Sequence, residues 1–155
     1  RPPSGANLNR QPESVASAVL GVLAHWRELG GTVAYGSGKE TSAILKLVPY
    51  GHNGFKLWCG AFYPTSGSLA IWFQHLKAKE PFSEVTVREE LRRLLNEGPA
   101  INIAESKLGL RPSVPLSALA GDDSVKAVER AFAYLVGAAM GPTRGQLSEL
   151  SGEQS

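Results

Sequence analysis

The spacing of hydrophobic residues changes along this chain, and each change predicts a different secondary structure. Over positions 14–29 the apolar residues recur every three or four positions, which predicts an amphipathic helix with Ser14 as its N-cap. Gly30 and Gly31 follow and permit the left-handed backbone that ends many helices. From Thr32 the period becomes two, and glycine and proline separate the runs, which predicts an antiparallel meander. Its four strands are expected at positions 32–35, 42–48, 55–62 and 69–74.

The alternation within the third and fourth strands predicts which side chains share each face of the sheet. An aliphatic and mixed face is expected to carry Phe55, Leu57, Cys59, Ala61, Leu69, Ile71 and Phe73. The opposite face is expected to carry Lys56, Trp58, Gly60, Phe62, Ala70 and Trp72. On that face Trp58 and Trp72 are predicted to be cross-strand neighbours. If they are exposed they form a stacking platform for nucleobases, and if they are buried they belong to the core.

A helical period returns in the second half of the chain. Thr86 and Glu89 have the spacing of a capping box, so a second helix is predicted to begin near Ser83 or Thr86. Its outer face mixes both charges, a pattern typical of a solvated surface, at Arg88, Glu89, Glu90, Arg92 and Arg93. A third helix is predicted from Asp122 or Asp123 onward.

These elements predict an α+β fold, in which an antiparallel four-stranded sheet has helices packed mainly on one face. Residues 100–104 could supply a fifth, edge strand, and the proline-containing residues 111–116 are expected to form an extended connector. The length of 155 residues and the apolar content of 43% suit one domain. We place that domain at residues 14–138, between a flexible lead-in at 1–13 and a flexible tail at 139–155.

The distribution of charge indicates what this fold could bind. The whole chain has a net charge of +2, but residues 32–79 contain five lysines and a single acid, Glu40. A local excess of this kind indicates a surface that faces an anionic partner.

One loop of the predicted sheet adds groups that could recognise a base. Tyr50, His52 and Asn53 place an aromatic ring, an imidazole and a carboxamide on one glycine-flanked tip. Such groups can stack on a base and hydrogen-bond to it. Asn53 with Gly54 is also a common two-residue hairpin turn, so a structural interpretation of the loop stays open.

Residue types that build catalytic and metal sites are sparse. Asp122 and Asp123 are the only aspartates and are expected at a helix start, and the three histidines lack the spacing of a helical metal pair. The single cysteine, Cys59, is expected to lie in the core and cannot form an internal disulfide. The sequence therefore favours a non-enzymatic protein without a metal or cofactor. No apolar run reaches the roughly 18 residues of a membrane span, so we expect no membrane partner and a cytoplasmic location.

The predicted α-β-β-β-α order resembles the double-stranded RNA-binding domain, and Lys77-Ala78-Lys79 is similar to part of that family's basic run. The chain departs from that family in its fourth predicted strand, in lacking a Lys-Lys-x-Ala-Lys run at the second helix, and in its long C-terminal extension. No residue roles are transferred.

The leading hypothesis is a non-catalytic nucleic-acid-binding module for DNA or RNA, which could recognise a duplex or a modified base within a larger system. The candidate binding residues are Lys39, Lys46, Tyr50, His52, Asn53, Lys56, Trp58, Trp72, Lys77 and Lys79. The alternatives are a protein-interaction or regulatory domain that uses an open sheet face, and a small-molecule-binding domain. Because the sequence begins with Arg1 rather than Met, a parent multidomain chain is one candidate context.

Overall fold

The computed structural model of the chain describes residues 13–36, 42–47 and 57–140. Its helices are α1 (Glu13–Glu28), α2 (Phe73–Leu76), α3 (Val85–Leu95) and α4 (Asp122–Met140). Its strands are β1 (Thr32–Tyr35), β2 (Ala43–Leu47), β3 (Leu57–Tyr63), β4 (Ser68–Ile71) and β5 (Ser113–Pro115). The α+β class predicted from the sequence is confirmed. Apart from Glu13 and residues 139–140, which are helical, the predicted lead-in and tail lie outside the described residues, and the domain bounds stay a prediction.

Helix α1 buries the predicted apolar stripe and ends where the two glycines begin. Ser14 lies inside the helix and not at its N-cap, since the described helix already includes Glu13. Gly30 has a φ of 104°, a left-handed conformation that glycine adopts without steric cost. A Cβ atom on Gly31 would lie 2.2 Å from Nε1 of Trp26, so glycine is what lets the chain pass this closely over the indole.

The sheet is antiparallel throughout, and within the described residues its five strands follow one another in chain order. The fourth strand is shorter than expected because the chain leaves the sheet after Ile71 and forms α2. The fifth strand is not the predicted one at residues 100–104; it lies within the segment expected to be a connector, where β5 pairs with β4. Its prolines fit this place because an edge strand has fewer main-chain donors to satisfy.

Residues 101–104 are held by a side chain instead of a neighbouring strand. The carboxamide of Asn96 donates to the carbonyl of Ile103 at 3.0 Å and accepts from the Ile103 N–H at 2.8 Å. These two bonds satisfy the main-chain N–H and C=O of Ile103 without a strand partner.

A β-bulge in β3 changes the alternation of its side chains. Leu45 of β2 lies opposite Gly60. The next residue, Lys46, lies opposite Trp58, so Cys59 is the extra residue of the bulge. The alternation therefore restarts in the opposite phase after Cys59.

The predicted faces of β3 are consequently wrong beyond the bulge. Phe62 was expected beside the tryptophans, but it is fully buried in the main core, whereas Ala61 lies on the other face. Gly60 lies opposite a core residue, and a Cβ atom there would lie 2.3 Å from the carbonyl oxygen of Ala70. The predicted faces of β4 agree with the structure, since Leu69 faces the main core and Ala70 does not.

The main core joins one face of the sheet to the helices. It includes residues of every long helix and of the central strands, among them Trp26, Leu45, Phe62, Leu91 and Phe132. The opposite face, called the outer face below, carries a smaller buried cluster of Ala61, Ala70 and Trp72 with Ile44 and Tyr63 packed beside it. None of the described helices is long and apolar enough to cross a membrane.

Helix α3 begins at Val85 and places Thr86 inside its first turn, so the predicted capping box is absent. Its mixed-charge face is also not simply solvated. Arg88 donates to the carbonyls of Phe82 and Leu108, and Arg92 donates to the carbonyl of Ile103. These two arginines fasten the 101–110 segment to the helix. Only the neighbouring Arg93 is exposed, and it forms ion pairs along the helix surface.

Candidate functional site

Two cations and two tryptophans form a continuous row across the outer face. Lys46 of β2 places its Nζ 4.4 Å from the ring centroid of Trp58 on β3. The Trp58 ring stacks on that of Trp72, which follows β4, with centroids 6.2 Å apart and an interplanar angle of 18°. Arg111, which precedes β5, places its guanidinium carbon 5.0 Å from the Trp72 ring centroid. We call these four residues the cation–aromatic row.

The register of the strands explains this row. Lys46 is the direct β2 partner of Trp58. On the other side, the main-chain N–H of Trp72 donates to the carbonyl of Cys59, and the N–H of Ile71 donates to that of Pro112. Continuing the antiparallel pairing by one residue places Arg111 beside Trp72. Each strand from β2 to β5, or a residue within two positions of its end, therefore contributes one member of the row.

The two tryptophans of the row differ in exposure. Trp58 is 39% exposed, whereas Trp72 is 6% exposed. The indole Nε1 of Trp72 is buried and has no hydrogen-bond partner in the part of the chain that the structure describes. A buried donor without a partner costs about 1–3 kcal/mol. The accessible aromatic surface is therefore that of Trp58, and Trp72 supports it from one side while carrying an unsatisfied polar group.

The cation at the β5 end of the row is held in place. Arg111 donates from Nε to Oε1 of Gln74 at 2.9 Å, and its terminal nitrogen contacts Nε2 of His75 at 2.6 Å. The His75 ring also packs at 5.2 Å from that of Trp72. Partial burial and the Arg111 charge lower the pKa of His75, which favours the neutral ring that accepts the arginine hydrogen bond.

The cation at the β2 end is held more loosely. Lys46 is half-buried and forms no ion pair or hydrogen bond with the described residues beyond its strand contacts and the Trp58 ring. Its ammonium can therefore leave the ring without breaking another side-chain interaction.

A basic groove continues the site beyond Arg111. It has a volume of about 310 Å³ and is lined by Asn102, Ile103, Ala104, Lys107, Leu110, Arg111, Pro112 and Ser113. Lys77 borders the same region, because a Cβ atom on Gly109 would lie 3.3 Å from its Nζ. No carboxylate among the described residues forms an ion pair with Lys77, Lys107 or Arg111.

The structure brings together part of the predicted binding set. Trp58 and Trp72 are neighbours, as expected for one face of the sheet. Lys46 lies beside Trp58, a position that the sequence did not assign to it. Lys77 and Lys79 lie in the turn after α2, the former exposed and the latter half-buried. The remaining candidates fall outside the described residues, namely Lys39, Tyr50, His52, Asn53 and Lys56.

Sequence reasoning missed the residues that complete the site at its β5 end. Arg111, Gln74 and His75 were not candidates, although they surround Trp72. The proline-flanked position of Arg111 suggested only an extended segment. The signal that could have identified it is the pairing of that segment with β4, which no local pattern shows.

The described residues offer little for thiol chemistry or metal binding. Cys59 is buried, burial raises the pKa of its thiol, and its Sγ donates to the carbonyl of Leu57 at 3.7 Å. A neutral buried thiol of this kind is a packing group. Within the described ranges, no three His, Cys, Asp or Glu side chains are grouped so as to hold a metal ion.

No known protein family, curated protein or solved structure matches this chain.

Proposed function

We propose that the outer face binds nucleic acid, with cationic side chains contacting phosphates and Trp58 contacting a base. The observation that carries this proposal is the cation–aromatic row, which combines an exposed aromatic ring with flanking cations on one sheet face. This combination is the one that proteins use to hold single-stranded nucleic acid.

The charge around the row supports the same proposal. Lys46 and Arg111 belong to the row, and Lys77 and Lys107 lie beside its β5 end. Arginines of α3 and α4, by contrast, form ion pairs with glutamates, for example Arg130 with Glu97. The cations near the row are thus available to phosphate oxygens.

The salt dependence of binding tests this function. We expect the full chain to bind oligonucleotides with an affinity that falls steeply as salt increases, because each phosphate contact releases counterions. The double variant Lys46→Ala/Lys77→Ala should bind more weakly. Its plot of log affinity against log salt should be less steep by about 0.7–0.9 for each lost contact. Filter binding or fluorescence anisotropy over a salt series measures both quantities.

The matched control removes the same number of charges from a helix. Lys126→Ala/Arg130→Ala changes two residues of α4 and should leave the salt dependence as it is in the parent protein. The proposal is wrong if the full chain binds no DNA or RNA, or if both double variants weaken binding equally. A protein partner held by apolar contacts would instead show an affinity that changes little with salt.

A further inference from the structure

We propose that the ligand of the cation–aromatic row is an unpaired nucleobase, which stacks on the Trp58 indole in place of the Lys46 ammonium. This proposal rests on the nucleic-acid-binding function above and names the form of nucleic acid that the site selects.

The arrangement of the row leaves one ring face that a base can reach. Trp72 is 6% exposed, with Trp58 stacked on it and the Arg111 guanidinium over its ring. Strands β2 and β4 lie on opposite sides of β3, so Lys46 and Trp72 flank the Trp58 ring from opposite sides. Among the residues that the structure describes, only the Lys46 side chain covers the Trp58 face on the β2 side.

The two cations of the row differ in how firmly they are held. Arg111 is fixed by Gln74 and His75 and cannot leave Trp72 without losing both contacts. Lys46 has no such anchor among the described residues and contacts the ring through its ammonium. A ligand that enters the row therefore displaces Lys46 and leaves the Arg111 end intact.

The relative strengths of the two contacts favour this exchange. A cation–π contact at an exposed site changes an equilibrium constant by about 2- to 5-fold. A base stacked on an aromatic side chain contributes about 5- to 150-fold. The displaced ammonium stays within reach of the stacked nucleotide and can pair with its phosphate, which replaces the lost cation–π contact.

The geometry selects an unpaired base over a base pair. Inside a duplex both faces of each base are covered by neighbouring pairs, so a tryptophan on a sheet can reach a base face only when the base is single-stranded or turned out of the helix. Phosphate contacts do not involve the base faces, so they do not supply this selection for an unpaired base.

Three ligands of one sequence test this selection: a single-stranded oligonucleotide, its blunt duplex, and the same duplex with one extra unpaired base. The single strand should bind the full chain more tightly than the blunt duplex does. Trp58→Ala should weaken single-strand binding by about 5- to 150-fold and leave blunt-duplex binding unchanged. If the duplex with the extra unpaired base also binds tightly, Trp58 accepts a base that is turned out of a duplex. If that duplex binds no better than the blunt one, Trp58 accepts a base only from a single strand.

Fluorescence separates stacking from a structural role of Trp58. Binding of the single strand should quench tryptophan emission in the full chain and in Trp72→Phe, and should not do so in Trp58→Phe. Lys46→Met should weaken all three ligands while the quenching persists, and Lys126→Met serves as its matched control. Thermal unfolding of each variant establishes that it is folded.

Two results would overturn the inference, and only the second would also overturn the proposed function. If blunt duplex and single strand bind equally well and Trp58→Ala changes neither, the selection of an unpaired base is wrong while nucleic-acid binding stands. If none of the three ligands binds, both the inference and the proposed function are wrong.

Discussion

The main core and the outer face differ in how much of the ring surface and of the indole N–H of their tryptophans is occupied by protein contacts. Trp26 in the main core is fully buried, contacts the Phe132 ring edge-on with centroids 5.4 Å apart, and donates from Nε1 to the carbonyl of Thr32 at 3.0 Å. On the outer face Trp58 is 39% exposed, and the Nε1 of Trp72 has no hydrogen-bond partner within residues 13–36, 42–47 and 57–140. The core tryptophan is satisfied by the fold, whereas the outer pair keeps unused aromatic surface and an unused donor.

This difference provides a criterion that separates a structural aromatic residue from a candidate binding residue. Trp26 and Trp72 are both buried in apolar clusters, so burial alone does not sort them. What distinguishes the outer pair is that cations, Lys46 and Arg111, lie over its rings. Cations that lie over rings beside solvent can be exchanged for a ligand, and core side chains cannot.

Replacing the core tryptophan should give the largest effect. We expect Trp26→Ala to lower the free energy of unfolding by about 3–5 kcal/mol, because it removes a large buried ring and leaves a cavity. Trp58→Ala removes one ring stack and one exposed cation–π contact, and should cost about 1–2 kcal/mol. Urea denaturation of both variants measures the two values. Equal losses would mean that Trp58 supports the fold as much as Trp26 does.

The bulge that orients Trp58 should be the next most sensitive position. Gly60→Ala places a Cβ atom 2.3 Å from the Ala70 carbonyl oxygen, so β3 and β4 must separate, at a cost of about 1–3 kcal/mol. Single-strand affinity should also fall, since the shift moves Trp58 relative to Trp72.

Gly21→Ala is the matched control for that substitution. Gly21 is exposed within α1, and a Cβ atom there would extend into open space, so alanine should stabilise the helix by about 0.5–1 kcal/mol. Thermal unfolding should therefore shift in opposite directions for the two glycine variants, and a shift in the same direction would contradict the tight approach at Gly60.

Removing the indole N–H should affect the two environments unequally. Trp26→Phe loses the hydrogen bond to Thr32, whereas Trp72→Phe removes a buried donor for which the described residues provide no acceptor. We expect Trp72→Phe to cost less than Trp26→Phe by about 1 kcal/mol, as measured by denaturant unfolding. Equal costs would mean that the Trp72 donor is satisfied in solution.

The smallest predicted effect concerns pH at the β5 end of the row. The pKa of His75 lies below its ordinary value of 6.5, so the folded protein binds fewer protons at this position than the unfolded chain does. Its stabilising contribution is complete above pH 6.5 and is lost as the pH falls through the lower, folded-state pKa. Between about pH 7.5 and about pH 5, the melting temperature should fall less in His75→Gln, which keeps an acceptor for Arg111 and does not titrate. Identical pH profiles would show that His75 does not hold Arg111.

The sequence was sufficient to predict the elements that local periodicity specifies. The stripes of α1 and α4 and the alternation of β4 are visible in a few residues each, and these elements lie close to where they were expected. The bulge at Cys59 was not predictable, because it depends on how β3 pairs with β2 and not on the composition of β3. The strand β5 was missed for a related reason, since three proline-flanked residues become a strand only when β4 is beside them.

The same limit applied to the candidate site. Trp58 and Trp72 could be grouped in advance because they lie on neighbouring predicted strands, whereas Lys46 was a candidate cation with no assigned face. Arg111 is 37 residues from Gln74 and 36 from His75, so only the folded chain brings these three together. Prediction from sequence therefore identified the tryptophan pair of the row, and missed the place of Lys46 beside it and the part built by the return of the chain as β5.

The proline at the end of β5 also bears on how copies of this protein would associate. The carbonyl of Pro112 and the N–H of Leu116 both bond toward β4, so in the alternating pattern the main chain of Pro115 faces the free edge of the sheet. Pro115 has no N–H to offer there, which makes this edge a poor template for a strand from another molecule. Aggregation by strand addition at a sheet edge is thus disfavoured on the side of the sheet that carries Arg111.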